Sequence, residues 1–394
     1  WNHAAFDAQR TLIEQHSADG HLREALTAAE TLLQRARAVG ETAYPNADYD
    51  LAMACFVLAH VFQSVRRSAS ALPLLDEAQA RFEAVERDNP GCGAEGMASA
   101  CLTERGDCLC DLGQLDEAAS AYEEAIRRAE ARKDERAIAV GNGQLAYARL
   151  LQRRYPEALK AYEVALARFT ALNEPGSVAT SWHQIGRVHQ EVGSPEAAED
   201  AYRKSLAINV RLKNLSGQAG TLGQLGNLYG DVLNRPEEAA AFFRQAADKY
   251  ASLGDMAQEG FARSSLGNTL RKLGRLDDAR VEILSAIKCK APFGHAVEPW
   301  TTWDILADIE NDTAKIADAT GQPKQAAEAR AAAATATREA RAAYLAYRRA
   351  GGENQSGSGR LALIVMQALA TGEIAQASAG LQQLAADPEA AHLH

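Results

Sequence analysis

Small and apolar residues recur along this chain with a period of forty. A small residue, an aromatic or aliphatic residue four positions on and a second small residue three beyond form the unit. It reads Ala118/Tyr122/Ala125, Ala158/Tyr162/Ala165, Ala198/Tyr202/Ser205, Ala239/Phe243/Ala246 and Ala279/Ile283/Ala286. Spacings of three and four keep these positions on one face of a helix. Ahead of the triples stand Gly106, Gly186, Gly226 and Gly267, with Ala146 in the same place in the fourth unit. Each unit therefore predicts two amphipathic helices, A and B. The turns between them fall at Gly113-Gln114, Arg153-Arg154-Tyr155-Pro156, Gly193-Ser194-Pro195, Asn234-Arg235-Pro236 and Gly274-Arg275-Leu276. Proline fits the first turn of helix B, where a missing N–H costs nothing, and the acidic residues that follow the turns suit the positive end of a helix dipole. The sixth unit carries one extra residue near Asn234. Such a period marks a stack of like supersecondary units rather than a domain folded around one site.

The glycine or alanine in helix A, the alanine opening helix B, the aromatic and the further alanine resemble the tetratricopeptide repeat. The resemblance covers roughly residues 6 to 293. Two looser copies, with Ile13, Ala25, Ala29 and Leu32, then Ala59, Ala71, Leu75 and Ala78, precede five regular ones. The forty-residue period exceeds the family's common 34 and is similar to that of kinesin light chains, Leu-Gly-Asn-type adaptors and bacterial signalling regulators. The resemblance implies an all-α, right-handed superhelical solenoid of antiparallel helix pairs. The seven pairs are expected at about 6–39, 52–85, 99–132, 139–172, 179–212, 219–253 and 260–293, with a degenerate eighth over 294–349. Residues 350–360 have the Gly/Ser composition of a linker, and 361–386 read as a short final pair. The chain opens at Trp1 without a methionine or a signal-peptide pattern, so it is read as a piece of something longer.

Composition narrows the function classes. The 394 residues are 47% hydrophobic but only 6% aromatic, and helix formers dominate. A formal charge of −10 with no basic stripe argues against nucleic acid, because binding phosphates requires displacing counterions with clustered Lys and Arg. No run of eighteen apolar residues is present, so no membrane span or membrane partner is expected. Six cysteines at 55, 92, 101, 108, 110 and 289 include no Cys-x-x-Cys pair and read as thiols in a reducing cytoplasm. No phosphate-binding loop, His-Glu-x-x-His or Gly-x-Ser-x-Gly occurs. His183 and His189 are six apart, on different sides of a helix, and cannot share a metal. The expectation is a chain that is not an enzyme and holds no metal or cofactor.

Binding residues are sought on helix A, which in the resembling family lines the inner, concave wall. Gln144, Gln184 and Gln224 recur at forty-residue steps, and three positions on from this row lie Asp107, Tyr147, Arg187, Asn227 and Asn268. A spacing of three keeps the two rows adjacent. Amides both donate and accept, so such a ladder can pair with the backbone of an extended peptide whatever its sequence. His183 lies one turn from Arg187, and Arg271 lies close to Asn268. The two arginines offer positive points for an acidic side chain or terminal carboxylate. The same glutamines could instead bond between neighbouring A helices and set the pitch; either role selects an amide. Helix A of the sixth unit carries Gly217, Gly220, Gly223, Gly226 and Gly230. Such a run either admits a ligand close to the backbone or softens the helix. The candidate groove is thus Gln144, Tyr147, His183, Gln184, Arg187, Gln224, Asn227, Asn268 and Arg271.

Two functions follow as expectations. The first is a monomeric or weakly associating scaffold that holds a peptide or protein segment, as the interaction or sensor part of a larger bacterial, cytoplasmic protein. The second is a regulatory sensor for a small molecule within a signalling ATPase or protease. That reading needs a closed apolar pocket, and Trp300 and Trp303 mark the aromatic-rich place for one.

Overall fold

The structure is a computed structural model that describes residues 1–349; the expected linker and final helix pair lie outside the described residues. Among the described residues every regular element is helical. The described residues divide into two compact units, with the boundary between Ser205 and Leu206.

The first unit begins with α1 (His3–Ala18) and α2 (Leu22–Val39), followed by α3 (Ala47–Ser64) and α4 (Ser68–Asp88). Then come α5 (Ala94–Asp111) with α6 (Leu115–Arg132), α7 (Glu135–Leu151) with α8 (Tyr155–Ala171), and α9 (Pro175–Glu191) with α10 (Pro195–Arg211), the last crossing the division. Within this unit α1 also touches α3, α3 touches α5 and α5 touches α7, so the A helices form one layer and the B helices another. The second unit holds α11 (Leu215–Asn227), α12 (Pro236–Leu253), α13 (Met256–Lys272) and α14 (Leu276–Lys290), then α15 (Pro299–Ala319) and α16 (Pro323–Arg349).

Left-handed residues punctuate this series every twenty positions. They are Gly113, Lys133, Arg153, Asn173, Gly193 and Lys213, then Asn234, Gly254 and Gly274. Each closes a helix, and at all but Asn234 the next N–H reaches back five residues, as in a Schellman motif. Gln114 donates to the Leu109 carbonyl, Asp134 to Ala129 and Asn214 to Asn209. Where the following residue is Asp134, Asn214 or Asp255, its side chain caps the next A helix by accepting from the N–H three residues on. The B helices α6, α8 and α12 lack side-chain caps and instead carry acidic residues in the first turn.

The recurring glycine and aromatic explain each other. A Cβ on Gly186 would meet the Tyr202 ring at 2.7 Å, one on Gly226 would meet Phe243 at 2.6 Å, and one on Gly267 would meet Ile283 at 2.6 Å. Gly106 and Tyr122 stand in the same relation. The large residue of helix B fills space that helix A leaves bare, and these side chains are buried.

One expectation is located more closely and another is corrected. The extra residue of the sixth unit is absorbed before the turn at Asn234, in a π-helical turn over Leu228–Val232 that ends α11. There Leu233 donates to Leu228, five residues back, and the Arg235 N–H reaches Tyr229, six back where the other turns reach five. The aromatic cluster at Trp300 is core. Trp300 is 2% exposed, with the Tyr347 ring at 4.9 Å and the Tyr344 ring edge-on at 5.7 Å. Aromatics from α16 occupy the space a ligand would need around that indole.

Candidate functional site

The A-helix layer of the first unit is indented by three clefts. One, of about 510 Å³, lies between α1 and α3 and is reached by Glu104 of α5. His60 stands 3.4 Å from the Glu104 carboxylate, and that hydrogen bond raises the imidazole's affinity for its proton. A second cleft of about 280 Å³, between α5 and α7, contains Arg132 and Arg136. Both cations are engaged there, Arg132 with Ser99 at 2.7 Å and Arg136 with Glu174 at 2.9 Å.

The third cleft, of about 320 Å³ between α7 and α9, is lined by uncharged groups. Gln144, Tyr147, Tyr162, Thr180 and Gln184 supply its polar surface, and Val140 and Phe169 its apolar walls. Gly143 is also in the lining, and a Cβ there would meet nothing within 4 Å. The Thr180 hydroxyl donates to the Gly176 carbonyl and so presents its lone pairs outward.

Gln144 is fixed from behind. Its Nε2 donates to both carboxylate oxygens of Asp107, at 3.0 and 3.1 Å, across to the preceding A helix. Tyr122 donates to the same carboxylate at 2.5 Å. Burial pushes the Asp107 carboxyl up to about 6, against the opposing pull of the Tyr122 hydrogen bond. A carboxylate accepts and cannot donate, so the amide's nitrogen must face Asp107. Gln144 Oε1 is buried with no partner, and so is the Tyr162 hydroxyl.

The other sequence-derived site residues distribute as follows. Tyr147 is 39% exposed at the mouth of the third cleft. Gln184 accepts from Arg187 at 3.0 Å, which ties that guanidinium to the cleft rim. His183 is not a cleft residue: its ring lies 5.6 Å from Tyr202, and burial, with a lesser contribution from Arg187, pushes it down to about 4. It is a neutral packing group at ordinary pH. Gln224, Asn227 and Asn268 are half-buried on the A helices of the second unit. Arg271 donates to Asp312 at 2.9 Å with Asp308 at 3.7 Å, so its charge is matched within the protein. The structure brings Gln144, Tyr147, Gln184 and Arg187 together. The rest of the ladder lies in the second unit.

The residue that sequence reasoning missed is Tyr162, which reads there as packing alone. The available signal was a broken pairing. Tyr122 has Asp107 fifteen positions ahead as its acceptor, whereas Tyr162 has Tyr147 at that place and keeps its hydroxyl without one.

Among the described residues no three His, Cys, Asp or Glu side chains form a metal-binding group, and no helix is long and apolar enough to cross a membrane. These features define an all-helical repeat protein with cleft-bearing A helices. Profiles of the tetratricopeptide repeat match residues 100–132 and 135–209. Residues 100–132 and 135–209 thus carry tetratricopeptide repeats. No curated protein sequence matches the chain.

Among solved structures, BtubC (BKLC) from P. vanneervenii is 20% identical with a TM-score of 0.51, the match covering 59% of this chain and 92% of that one. The apo form of RapI is 13% identical with a TM-score of 0.54, covering 73% and 98%. A signal transduction ATPase with a tetratricopeptide repeat sensor from Pyrococcus horikoshii is 14% identical with a TM-score of 0.57, covering 84% of this chain and 52% of that one. At these identities the likeness is one of fold.

Proposed function

We propose that this chain is a non-catalytic interaction scaffold whose first unit holds a peptide or protein segment along its A-helix layer. The observation that carries the reading is the neutral α7–α9 cleft, where two glutamines flank a glycine over which no side chain lies. An extended backbone laid across such a surface finds a donor in the Gln184 amide nitrogen and an acceptor in the Thr180 hydroxyl without needing a particular charge. We read it further as the interaction part of a larger bacterial, cytoplasmic signalling protein. On this reading the chain is monomeric or weakly associating, the helix pairs from about residue 6 to 293 are its repeats, and Gln224, Asn227 and Asn268 extend the amide rows in the second unit.

The test is selection of a random peptide library on the purified chain, followed by affinity measurement with Gly143→Leu and Gln184→Ala. Loss of binding by about tenfold or more in either variant, with unchanged melting, is the expected result, tenfold being near what one good hydrogen bond contributes. Selected peptides that bind both variants as tightly as the parent would overturn it.

A further inference from the structure

In each A helix one position directly precedes the residue that faces helix B. It is held by Leu58, Ile185, Leu225 and Leu266, all buried, by the half-buried Leu145, and in α5 by Arg105. In the first unit the preceding pair does the covering. Leu145 shares a cluster with Leu109, Ala118 and Tyr122, and Ile185 shares one with Ala158 and Tyr162. In α1 this position is Leu12, ahead of the buried Ile13, and it is 48% exposed. One turn earlier Ala8 is exposed, where Ala54, Cys101, Ser181 and Thr221 are buried. The second helix shows the same gap: Ala28 of α2 is half-buried, whereas its counterparts Ala121, Ala161 and Ala201 are buried. A cleft of about 460 Å³ results, and its lining includes Leu12, Thr27, Ala28, Arg23 and Glu24. The last two are exposed and enter no ion pair among the described residues.

We infer that this α1–α2 face is an interface between two copies of the chain, related by a two-fold axis. Two features select that occupant. What α1 lacks is a covering B helix, and α2 is a B helix whose own edge is uncovered, so each copy supplies what the other is missing. The charges are one of each sign on neighbouring positions, and a two-fold axis sets Arg23 of each copy against Glu24 of the other. A partner of either single sign would meet one like charge. The apolar part of the face is small, so the dimer is weak and dissociates in the micromolar range, as suits a weakly associating scaffold. None of these residues lines the α7–α9 cleft. Pairing therefore leaves that cleft open in both copies and gives avidity for a partner that carries two segments.

The experiment is sedimentation equilibrium of the full chain across the micromolar range, at low and at high salt. The expected result is a monomer–dimer equilibrium that weakens as salt is added. Leu12→Lys should weaken the dimer by about tenfold or more, because an apolar side chain is removed from each side of the axis. The melting temperature of the dilute variant should hold, since the residue is exposed in the single copy. Arg23→Glu and Glu24→Arg should each weaken the dimer by about tenfold by setting like charges across the axis, and the two together should restore it. A chain that stays monomeric throughout would overturn the inference and leave the face to a helix from elsewhere. A dimer indifferent to Leu12→Lys would overturn it by placing the contact on another surface. A dimer that the double swap fails to restore would overturn the two-fold pairing of Arg23 with Glu24. The peptide-library test reads a different face, so either reading can fail while the other stands.

Discussion

Tyr202 occupies the space that a side chain on Gly186 would need, its ring 2.7 Å from where the Cβ would sit. Alanine favours a helix over glycine by about 1 kcal/mol, but overpacking against a fully buried ring costs roughly 1–3 kcal/mol. Gly186→Ala is therefore expected to destabilise by up to about 2 kcal/mol. Gly223, also in an A helix, has open space at its Cβ position, so Gly223→Ala should stabilise by up to about 1 kcal/mol. Urea unfolding of the two variants checks this; shifts of the same sign would refute the packing account.

Lys133 and Lys213 sit at φ of +57° and +55°, at places where Gly113, Gly193, Gly254 and Gly274 occur in the same punctuation. A left-handed conformation costs a side-chain-bearing residue about 1 kcal/mol relative to glycine. Lys133→Gly and Lys213→Gly should each raise stability by about that amount, and Lys213→Val should lower it by more. A rise in the melting temperature of Lys213→Val would show that the turn, not the residue, relaxes.

Lys290 is 1% exposed, with its ammonium 3.0 Å from the Thr302 hydroxyl and 4.0 Å above the Phe261 ring. Burial pulls it down to about 8 from an ordinary 10.5, against a smaller upward pull from Glu298. Below pH 8 both folded and unfolded chains carry the proton and the penalty of burying the charge is fully present. Between pH 8 and 10.5 the unfolded chain holds more of the proton, so stability rises with pH. Lys290→Met should remove this slope and stabilise at pH 7 by roughly 2–3 kcal/mol. Chemical denaturation across pH 7 to 10.5 measures it, and a parent curve flat in this window would contradict the burial.

The thiols separate cleanly. Burial pushes Cys55 up to about 11 and Cys101 and Cys108 to about 12, so they remain protonated and enclosed. Cys92 is exposed between α4 and α5, its sulfur 3.4 Å from Glu86. A water-soluble disulfide reagent should label Cys92 in the native protein while Cys55, Cys101 and Cys108 react only as fast as their repeats open. Mass spectrometry of a short labelling pulse reads the order, and early labelling of Cys101 would mean that α5 opens locally.

Much of the fold was legible because one local rule repeats. The triples around Tyr122, Tyr162, Tyr202 and Phe243 fix helix phase, and the glycine or alanine opposite each fixes which helices meet. The candidate site was legible only in outline. The forty-residue row located Gln144 and Gln184, but the partner of Gln144 lies on the preceding helix, and nothing local to Gln144 says that its nitrogen is already taken. Arg271 read as a free cation because Asp308 and Asp312 belong to the stretch where the period loosens. Trp300 read as a pocket for the same reason: its neighbours Tyr344 and Tyr347 come from a helix too rich in alanine to show its phase.

The π turn at Leu228–Val232 bears on how such a chain can change length. One residue added inside an α-helix rotates everything after it by about 100°, which would carry Phe243 off its glycine. Here the surplus residue is looped out within a single turn, and Gly226 still faces Phe243. The ends of the A helices are thus the slack in this chain, where insertions and deletions can accumulate while the packed seam on either side keeps its phase.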